Sequence, residues 1–335
     1  MDHRAKKRKL ADDGEGTDAE PIKPARYQPM EAREWTVSVA IPGSLIADCK
    51  SAEQRMVSPG RIARALAVFS VDEVVVYDDS PTSSRPPAVD RERYTGDIDP
   101  CHYITHVLSY LETPPFMRKA LFPLHPNLRS AGFLPNLDMP NHPHKDEWMP
   151  YREGITTSGK PATGKGTLVD VGLRQPVSID DKIPPNTRVT LQISEDNTAE
   201  PVNPATPRVE AGYYWGYNVR NASSLSAVLT ESPFEGGYDI SIGTSERGIP
   251  ASQAFPSTGT VNFSHLIIFF GGPRGLEFAA MNDSDLSEMG ISGGRTKELF
   301  DHWVNILPNQ GSRGINTDEA VFIALTELRR LWEAT

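Results

Sequence analysis

The apolar positions of this chain change period along its length, and each change marks an element. "WTVSVAIPG", Trp35 to Gly43, alternates apolar residues with β-branched neighbours and stops at Pro42-Gly43, a strand running into a turn. In "SPGRIARALAVFSV" the period becomes helical. Pro59 and Gly60 serve as start punctuation, and Ile62, Ala65, Leu66 and Phe69 follow at i, i+3, i+4 and i+7. "VDEVVVYDD", Val71 to Asp79, is a short apolar run of β-branched residues bounded by acids, the pattern of a buried parallel strand. Strand, helix, strand in this order predicts a βαβ unit and an α/β fold on a parallel sheet. The polar, proline-rich stretch between Asp79 and Tyr103 reads as a surface loop. "HYITHVLSYLETP" predicts a helix with Ile104, Val107, Leu108 and Leu111 inward.

From Arg118 to Val219 the chain breaks into short strand-like pieces separated by Gly, Pro and Asn, among them "GKGTLVDVGL", "QPVSI", "TRVTLQI" and "GYYWGYNVR". This spacing predicts an inserted small all-β, OB-like barrel from Leu121 to Arg220. Its aromatic cluster Tyr213, Tyr214, Trp215 and Tyr217 has two readings: stacking on bases, or alternate members filling the barrel. The α/β pattern then resumes. "SSLSAVLTE" reads as a helix capped by Ser223 or Ser224, and "YDISIGTSERG" as a strand ending in a Gly-rich turn. "HLIIFFGGPRGLE" is a buried strand ending at Gly271-Gly272, and "RTKELFDHWVNIL" is part helix and part strand. The last helix starts at Asn316 as N-cap, with Glu319 three residues on and Val321, Leu325, Leu328 and Trp332 as its inward stripe.

Three strands therefore end near Gly243, Gly271 and Leu307, and all three run into small-residue loops. Ligands of open parallel sheets bind at the carboxyl ends of strands, so these loops point to a small ligand met by backbone. The glycines of "GGPRGLEFAAM" are in the wrong register for a dinucleotide fingerprint, and no phosphate-binding G-x-x-x-x-G-K-[ST] is present. No G-x-S-x-G elbow, His-x-x-x-His or paired-Cys spacing occurs, so no metal is expected.

Composition narrows the partners. No run of about 18 apolar residues appears, so no membrane role is expected. Cys49 and Cys101 are too few for a disulfide framework. A net charge of −10 argues against coating nucleic acid by bulk electrostatics, so any nucleic-acid contact must be local. One basic run stands out, "RAKKRKL", followed by the acidic "ADDGEGTDAEP". It reads either as a disordered tail with a nuclear localisation signal, placing the protein in the nucleus or nucleolus with the cytoplasm as a further location, or as a solvated tail that no receptor reads.

The segments "GRIARALAVFSVDEVVVYD", "IIFFGGPRGLE" and "NILPNQGSRGINTDEAVFIALTEL" resemble, in order and spacing, the three motifs of SPOUT RNA methyltransferases. With its β insertion the layout is similar to a eukaryotic and archaeal group of that superfamily. The resemblance implies a SPOUT-type parallel sheet with a C-terminal trefoil knot. Its domains would be a tail at 1–34, a methyltransferase half at 35–120, the OB-like insert at 121–220, and the knotted half at 221–335. Knots are rare enough that only the resemblance suggests one. It further implies a homodimer and an S-adenosylmethionine site made by Thr244, Gly271, Gly272, Gly275, Leu276, Asn305, Leu307, Asn309, Gln310, Gly311, Ser312, Ile315, Thr317 and Ala320.

The activity implied is methylation of RNA, most simply ribosomal RNA, at uridine N3 or a ribose 2′-hydroxyl. The alternative is a catalytically silent scaffold in nuclear, spindle or ribosome assembly. Arg64 falls on the arginine of the first motif, and being always protonated it suits electrostatic stabilisation or a phosphate clamp rather than base catalysis. Glu246, Arg247 and Arg313 are the next catalytic candidates. Arg274 departs from the acid usual in the second motif, although Glu277 is near. For RNA, the basic positions are Arg118, Lys119, Arg152, Lys160, Lys165, Arg174 and Arg188, with the site arginines beside them.

Overall fold

The computed structural model describes residue 27 and residues 29–86, 88–145, 147–159, 161, 164–194, 198–256 and 261–333. The basic run of the tail and Lys160 lie outside the described residues. Strand β1 is Thr36–Pro42, buried throughout. Helix α1 is Ala52–Val68, longer than its pattern suggested. Ser51 caps it, its hydroxyl accepting from the Gln54 amide at 3.2 Å, so Pro59 lies inside the helix and does not start it. Packing outweighs proline's cost here, because Met56 buries a face in the earlier turns and Gly60 lets Leu134 and Pro135 approach. Strand β2 is Glu73–Tyr77, and α2, Pro100–Glu112, starts on an Asp99 cap. Its inward residues Ile104, Val107, Leu108 and Leu111 are buried as the period requires.

After the short helix α3, Pro115–Leu121, come β3 (Tyr151–Thr156), β4 (Thr167–Asp170), β5 (Val177–Ile179), β6 (Arg188–Ile193) and β7 (Ala199–Val202). These form an antiparallel sheet in the order β5-β4-β3-β6-β7, whose two end strands pack together to give a nearly closed barrel. Helix α4, Thr206–Ala211, leads to β8, Asn218–Ala222. Although it begins within the 121–220 interval, β8 pairs in parallel with β2. The remaining elements are α5 (Leu225–Thr230), β9 (Ile240–Pro250), α6 (Ala251–Ala254), β10 (His265–Phe269), α7 (Gly275–Met281), α8 (Ser284–Glu288), β11 (His302–Asn305) and α9 (Thr317–Leu328). Ser224 is the cap of α5, and Glu319 accepts from the Asn316 amide at 2.8 Å to close a capping box on α9.

The large sheet is parallel throughout, in the order β11-β9-β10-β1-β2-β8. Side chains alternate across it. Val37, Val39 and Ile41 join α1, α2 and α9 on one face, while Ala40, Val75 and Tyr77 join α5 and α7 on the other. The α9 stripe of Val321, Leu325, Leu328 and Trp332 is buried in that first core. The stripe is therefore inward as its period predicted, and it is satisfied within one chain.

The aromatic cluster also belongs to the interior. Tyr214 and Tyr217 are buried in the main core, their hydroxyls donating to the Val71 and Leu108 carbonyls at 2.9 and 3.0 Å. Trp215 donates to Glu153 on β3 at 2.5 Å, and Tyr213 packs on Tyr151. The segment crosses between the two sheets, so the buried rings of Tyr214, Trp215 and Tyr217 divide between their cores and are not available to bases, while Tyr213 is half-buried.

Candidate functional site

The carboxyl ends of the neighbouring strands β9, β10 and β11 enclose a cavity of about 440 Å³. Three local devices shape it. First, the pairing of β9 with β11 slips between Trp303 and Val304, which face Gly243 and Ile249, so Thr244 to Gly248 bulge out of the ladder. Bulges of this kind re-aim side chains beside sites. Thr244 Oγ1 ties this bulge to the Phe269 carbonyl at 2.8 Å, and Asn305 Nδ2 donates to the Glu246 carbonyl at 3.0 Å.

Second, the loop after β10 turns too tightly for side chains. A Cβ on Gly271 would lie 2.6 Å from the Gly275 carbonyl carbon, and one on Gly272 2.0 Å from Ser44 Oγ. Ser44 is held by Asp79, its amide donating at 3.0 Å and its hydroxyl at 2.5 Å. Burial pushes the Asp79 carboxyl above its ordinary range, against the lowering by those two bonds. Behind the same wall Tyr77, fully buried and so held protonated well above the usual phenol range, donates to the Phe270 carbonyl at 2.6 Å.

Third, the loop before α9 folds on itself. Leu307 N donates to Asn305 Oδ1, Gln310 Nε2 to the Ser312 carbonyl, and Ser312 Oγ to the Gly314 carbonyl. Thr317 Oγ1 then fastens α9 to the Gly271 carbonyl at 3.1 Å.

The structure brings most of the expected residues together. Thr244, Gly271, Gly272, Gly275, Asn305, Leu307, Gln310, Ile315, Thr317 and Ala320 line the cavity, with Glu246, Arg247 and Arg313. Leu276 is not at the wall but buried in the core beneath α7. Asn309, Gly311 and Ser312 sit away from it in the loop, and Gly311 has open space around it. Arg64 does not line the cavity of its own chain, its guanidinium donating to the Leu137 carbonyl. Another α1 arginine, Arg61, pairs at 3.2 Å with buried Asp318, the neighbour in sequence of the cavity residue Thr317. Sequence reasoning passed over the wall residues Ser245, Phe270, Pro273 and Ile306. The bulge could not be read from period alone, because the pattern ends the strand near Gly243, whereas β9 resumes its pairing with β11 at Ile249.

The basic positions split. Arg152 is buried and donates to the carbonyls of Val171, His144 and Glu147, so it serves the insert's interior and offers no charge to RNA. Arg188 pairs with Glu112 and Glu153 at 2.5 and 2.6 Å. Burial lowers its pKa, but the two carboxylates more than reverse that and hold its charge. Arg118 donates to the Leu111 and Thr113 carbonyls and lies over the Tyr110 ring. Arg118 and Arg152 direct their donors to backbone carbonyls and Arg188 to carboxylates of other segments, partners that a place in a short polar stretch does not reveal. Lys119, Lys165 and Arg174 are at the surface.

Two other hollows are at least as large. One of about 1030 Å³ at the ends of β1, β2 and β8 is lined by Asp78, Asp97 and Asp99, paired with Arg85, Arg55 and Arg91, and by Asp79, which Ser44 engages. Another of about 450 Å³ between the two sheets is lined by the Glu112, Glu153 and Arg188 network. Size does not select among them. The bulge of β9 and the bare glycine backbone of the loop after β10 do, since they line neither of the other two hollows. Among the described residues no cluster of His, Cys, Asp or Glu is placed to hold a metal ion, and no helix is long and apolar enough to cross a membrane.

Residues 36–328 match the protein family described as "Putative RNA methyltransferase". A mouse protein named 28S rRNA (uridine-N(3))-methyltransferase is 40% identical over 307 residues, spanning 89% of this chain and 77% of its own length. Its human namesake is 42% identical over 308 residues, spanning 89% and 78%. A Drosophila melanogaster protein of the same name is 39% identical over 307 residues, spanning 88% of this chain and 62% of its own length. With its second and third motifs lining one cavity and nearly its whole length matched, the chain belongs to this SPOUT-type family of RNA methyltransferases.

Proposed function

We propose that this chain transfers a methyl group from S-adenosylmethionine to N3 of a uridine in ribosomal RNA. The observation that carries the reading is the cavity at the ends of β9, β10 and β11, built from the loops that resemble the SPOUT cofactor motifs. Relatives covering most of this chain are named for that reaction. The residues fit the cofactor: about 440 Å³ lies in the roughly 300–1,000 Å³ range of small-molecule sites. Phe270, Leu307 and Ile315 offer apolar wall to a purine, Asn305, Gln310 and Thr317 offer polar atoms, and Gly271-Gly272 present bare backbone.

Bound there, S-adenosylmethionine supplies an electrophilic sulfonium methyl. The protein's part is to hold donor and acceptor in line, which by itself accounts for several kcal/mol of barrier, on the order of 7–11 in favourable cases. A trefoil knot through the Leu307 to Gly314 loop, the division into halves at 35–120 and 221–335 around a 121–220 insert, and nuclear residence belong to the same reading. So does a homodimer. Arg64 can act only on another chain's cavity, and dimerisation now rests on resemblance, since α9 is satisfied internally. Lys119, Lys165 and Arg174 are its surface RNA contacts.

The reading is tested by titrating S-adenosylmethionine calorimetrically, then following methyl transfer to 28S rRNA transcripts with mass-spectrometric identification of the product nucleoside. Micromolar binding and N3-methyluridine are expected. A folded chain that binds no cofactor would be a scaffold, and 2′-O-methylated product would move the acceptor to ribose.

A further inference from the structure

The acids and arginines of the cavity are unevenly placed. Glu246 is exposed on the bulge, whereas Glu277, in the first turn of α7, is 20% exposed. Its carboxylate lies over Gly275, where a Cβ would come 2.8 Å from Oε2. From the opposite wall the bulge of β9 sends Arg247 across to it, Nη1 to Oε1 at 3.4 Å, with the arginine side chain 72% exposed. Gly248, pressed against the Val304 and Asn305 backbone where a Cβ would meet carbon at 2.3 Å, fixes the base of that arm. An exposed pair of this kind adds little stability, so its stability value gives no reason for placing it at the mouth of a binding cavity.

We infer that Arg247 and Glu277 together read the imide edge of the acceptor base and that Glu277 takes its N3 proton. The inference rests on the uridine-N3 reading above. A uracil presents an N3–H donor between two carbonyl acceptors. A carboxylate beside a guanidinium presents an acceptor beside donors, which is the complement. Cytosine shows a bare N3 and an amino group instead, and would leave Glu277 facing a lone pair, so it is rejected by mispaired polar groups. In the transfer the N3–H bond breaks and its proton passes to Glu277. The electron pair left on nitrogen forms the new N–C bond, and the C–S pair departs with the donor's sulfur as a neutral thioether. Once Glu277 is protonated, Arg247 loses its ionic partner and its donors are free for the negative charge developing on the uracil oxygens.

The test uses the full chain and its Glu277→Gln and Arg247→Ala variants, with three readouts. Calorimetric titration with S-adenosylmethionine is expected to be unchanged within about threefold. Saturation-transfer NMR with S-adenosylhomocysteine present is expected to detect uridine monophosphate in preference to cytidine monophosphate, a preference that Glu277→Gln loses. Methylation of a 28S transcript is expected to fall on the order of 10²-fold in kcat for Glu277→Gln, with loss of the acidic limb of the pH profile. For Arg247→Ala the fall is about tenfold, in keeping with one charged contact at the transition state. A Glu277→Gln variant that methylates at the wild-type rate, or wild-type protein that responds equally or not at all to the two nucleotides, overturns the pair's role. So does a loss of cofactor binding, which would place Glu277 in the donor site instead. A wild-type chain that binds cofactor and leaves the transcript unmethylated removes the uridine-N3 reading itself, and the pair's role falls with it.

Discussion

Thr317 Oγ1 donates to the Gly271 carbonyl at 3.1 Å, joining the first turn of α9 to the loop after β10 across the wall of the cavity. Thr317→Val keeps the shape and removes the donor. A hydrogen bond of this kind contributes about 0.5–1.5 kcal/mol, so cofactor affinity should fall roughly two- to tenfold by calorimetry. Unchanged affinity would separate α9 from the site.

Gly272 and Gly311 make a paired test of the walls. A Cβ on Gly272 meets Ser44 Oγ at 2.0 Å, and Asp79 holds that serine in place, whereas Gly311 has nothing within reach. Gly272→Ala should abolish cofactor binding in a folded protein, and Gly311→Ala should leave it within about threefold, the range left to an exposed backbone change of ~0.5 kcal/mol. The reverse order would place the ligand against the outer loop.

How much of this was legible depended on whether the determining contact was local. The capping box at Asn316 and Glu319, the α2 stripe and the glycines of the β10 loop are set by neighbours in sequence, and each is where its pattern put it. The errors share one cause. Pro59 read as a helix start because Ser51 and the core contact of Met56 lie upstream of the apolar period. Tyr214 and Tyr217 read as barrel residues because only tertiary pairing of β8 with β2 draws them into the main core. Arg152 and Arg188 read as surface cations because their partners, such as Val171 and Glu112, lie far along the chain. Arg64 matched a motif, yet its hydrogen bond to Leu137 was set by a segment with no recognisable pattern.

Arg188 on β6 ties the antiparallel sheet to helix α2, pairing with Glu112 on α2 and with Glu153 on β3. Removing it leaves two nearly buried carboxylates unmatched. Arg188→Ala should cost about 2–3 kcal/mol in denaturant unfolding, below the 3–5 of fully buried pairs because the arginine is itself partly exposed. A cost under ~0.5 kcal/mol, the usual surface value, would mean that solvent already screens the network.

Stability should also fall with acid. Burial lowers the His142 pKa to about 4, with Nε2 on the Glu112 carbonyl at 2.6 Å and buried Nδ1 without a partner to receive a second proton. His106 is likewise lowered to about 4, by burial and then by His125 and His102. Unfolding raises each to its ordinary value near 6.5, so the unfolded chain binds more protons between those limits. Their contribution is full above about pH 6.5 and is lost as pH falls toward 4. The melting temperature should drop across that window, and His142→Gln, which retains a donor but does not titrate there, should flatten the drop. An equal slope in the variant would assign acid sensitivity elsewhere.

Charge reversal at Lys119 and Arg174, both at the surface, should weaken RNA binding and reduce the salt slope by about one for each phosphate that is no longer neutralised. The cofactor titration should not change. RNA affinity that is unaffected would move the RNA track off this face of the insert.

The most direct measurement is mass-spectrometric mapping of N3-methyluridine on ribosomal RNA from cells lacking this protein, re-supplied with the wild-type chain or with Gly272→Ala. The account predicts one uridine that loses its N3-methyl group without the protein, regains it with the wild type, and stays unmodified with the variant. Full N3-methylation of ribosomal RNA in cells lacking the protein would contradict it.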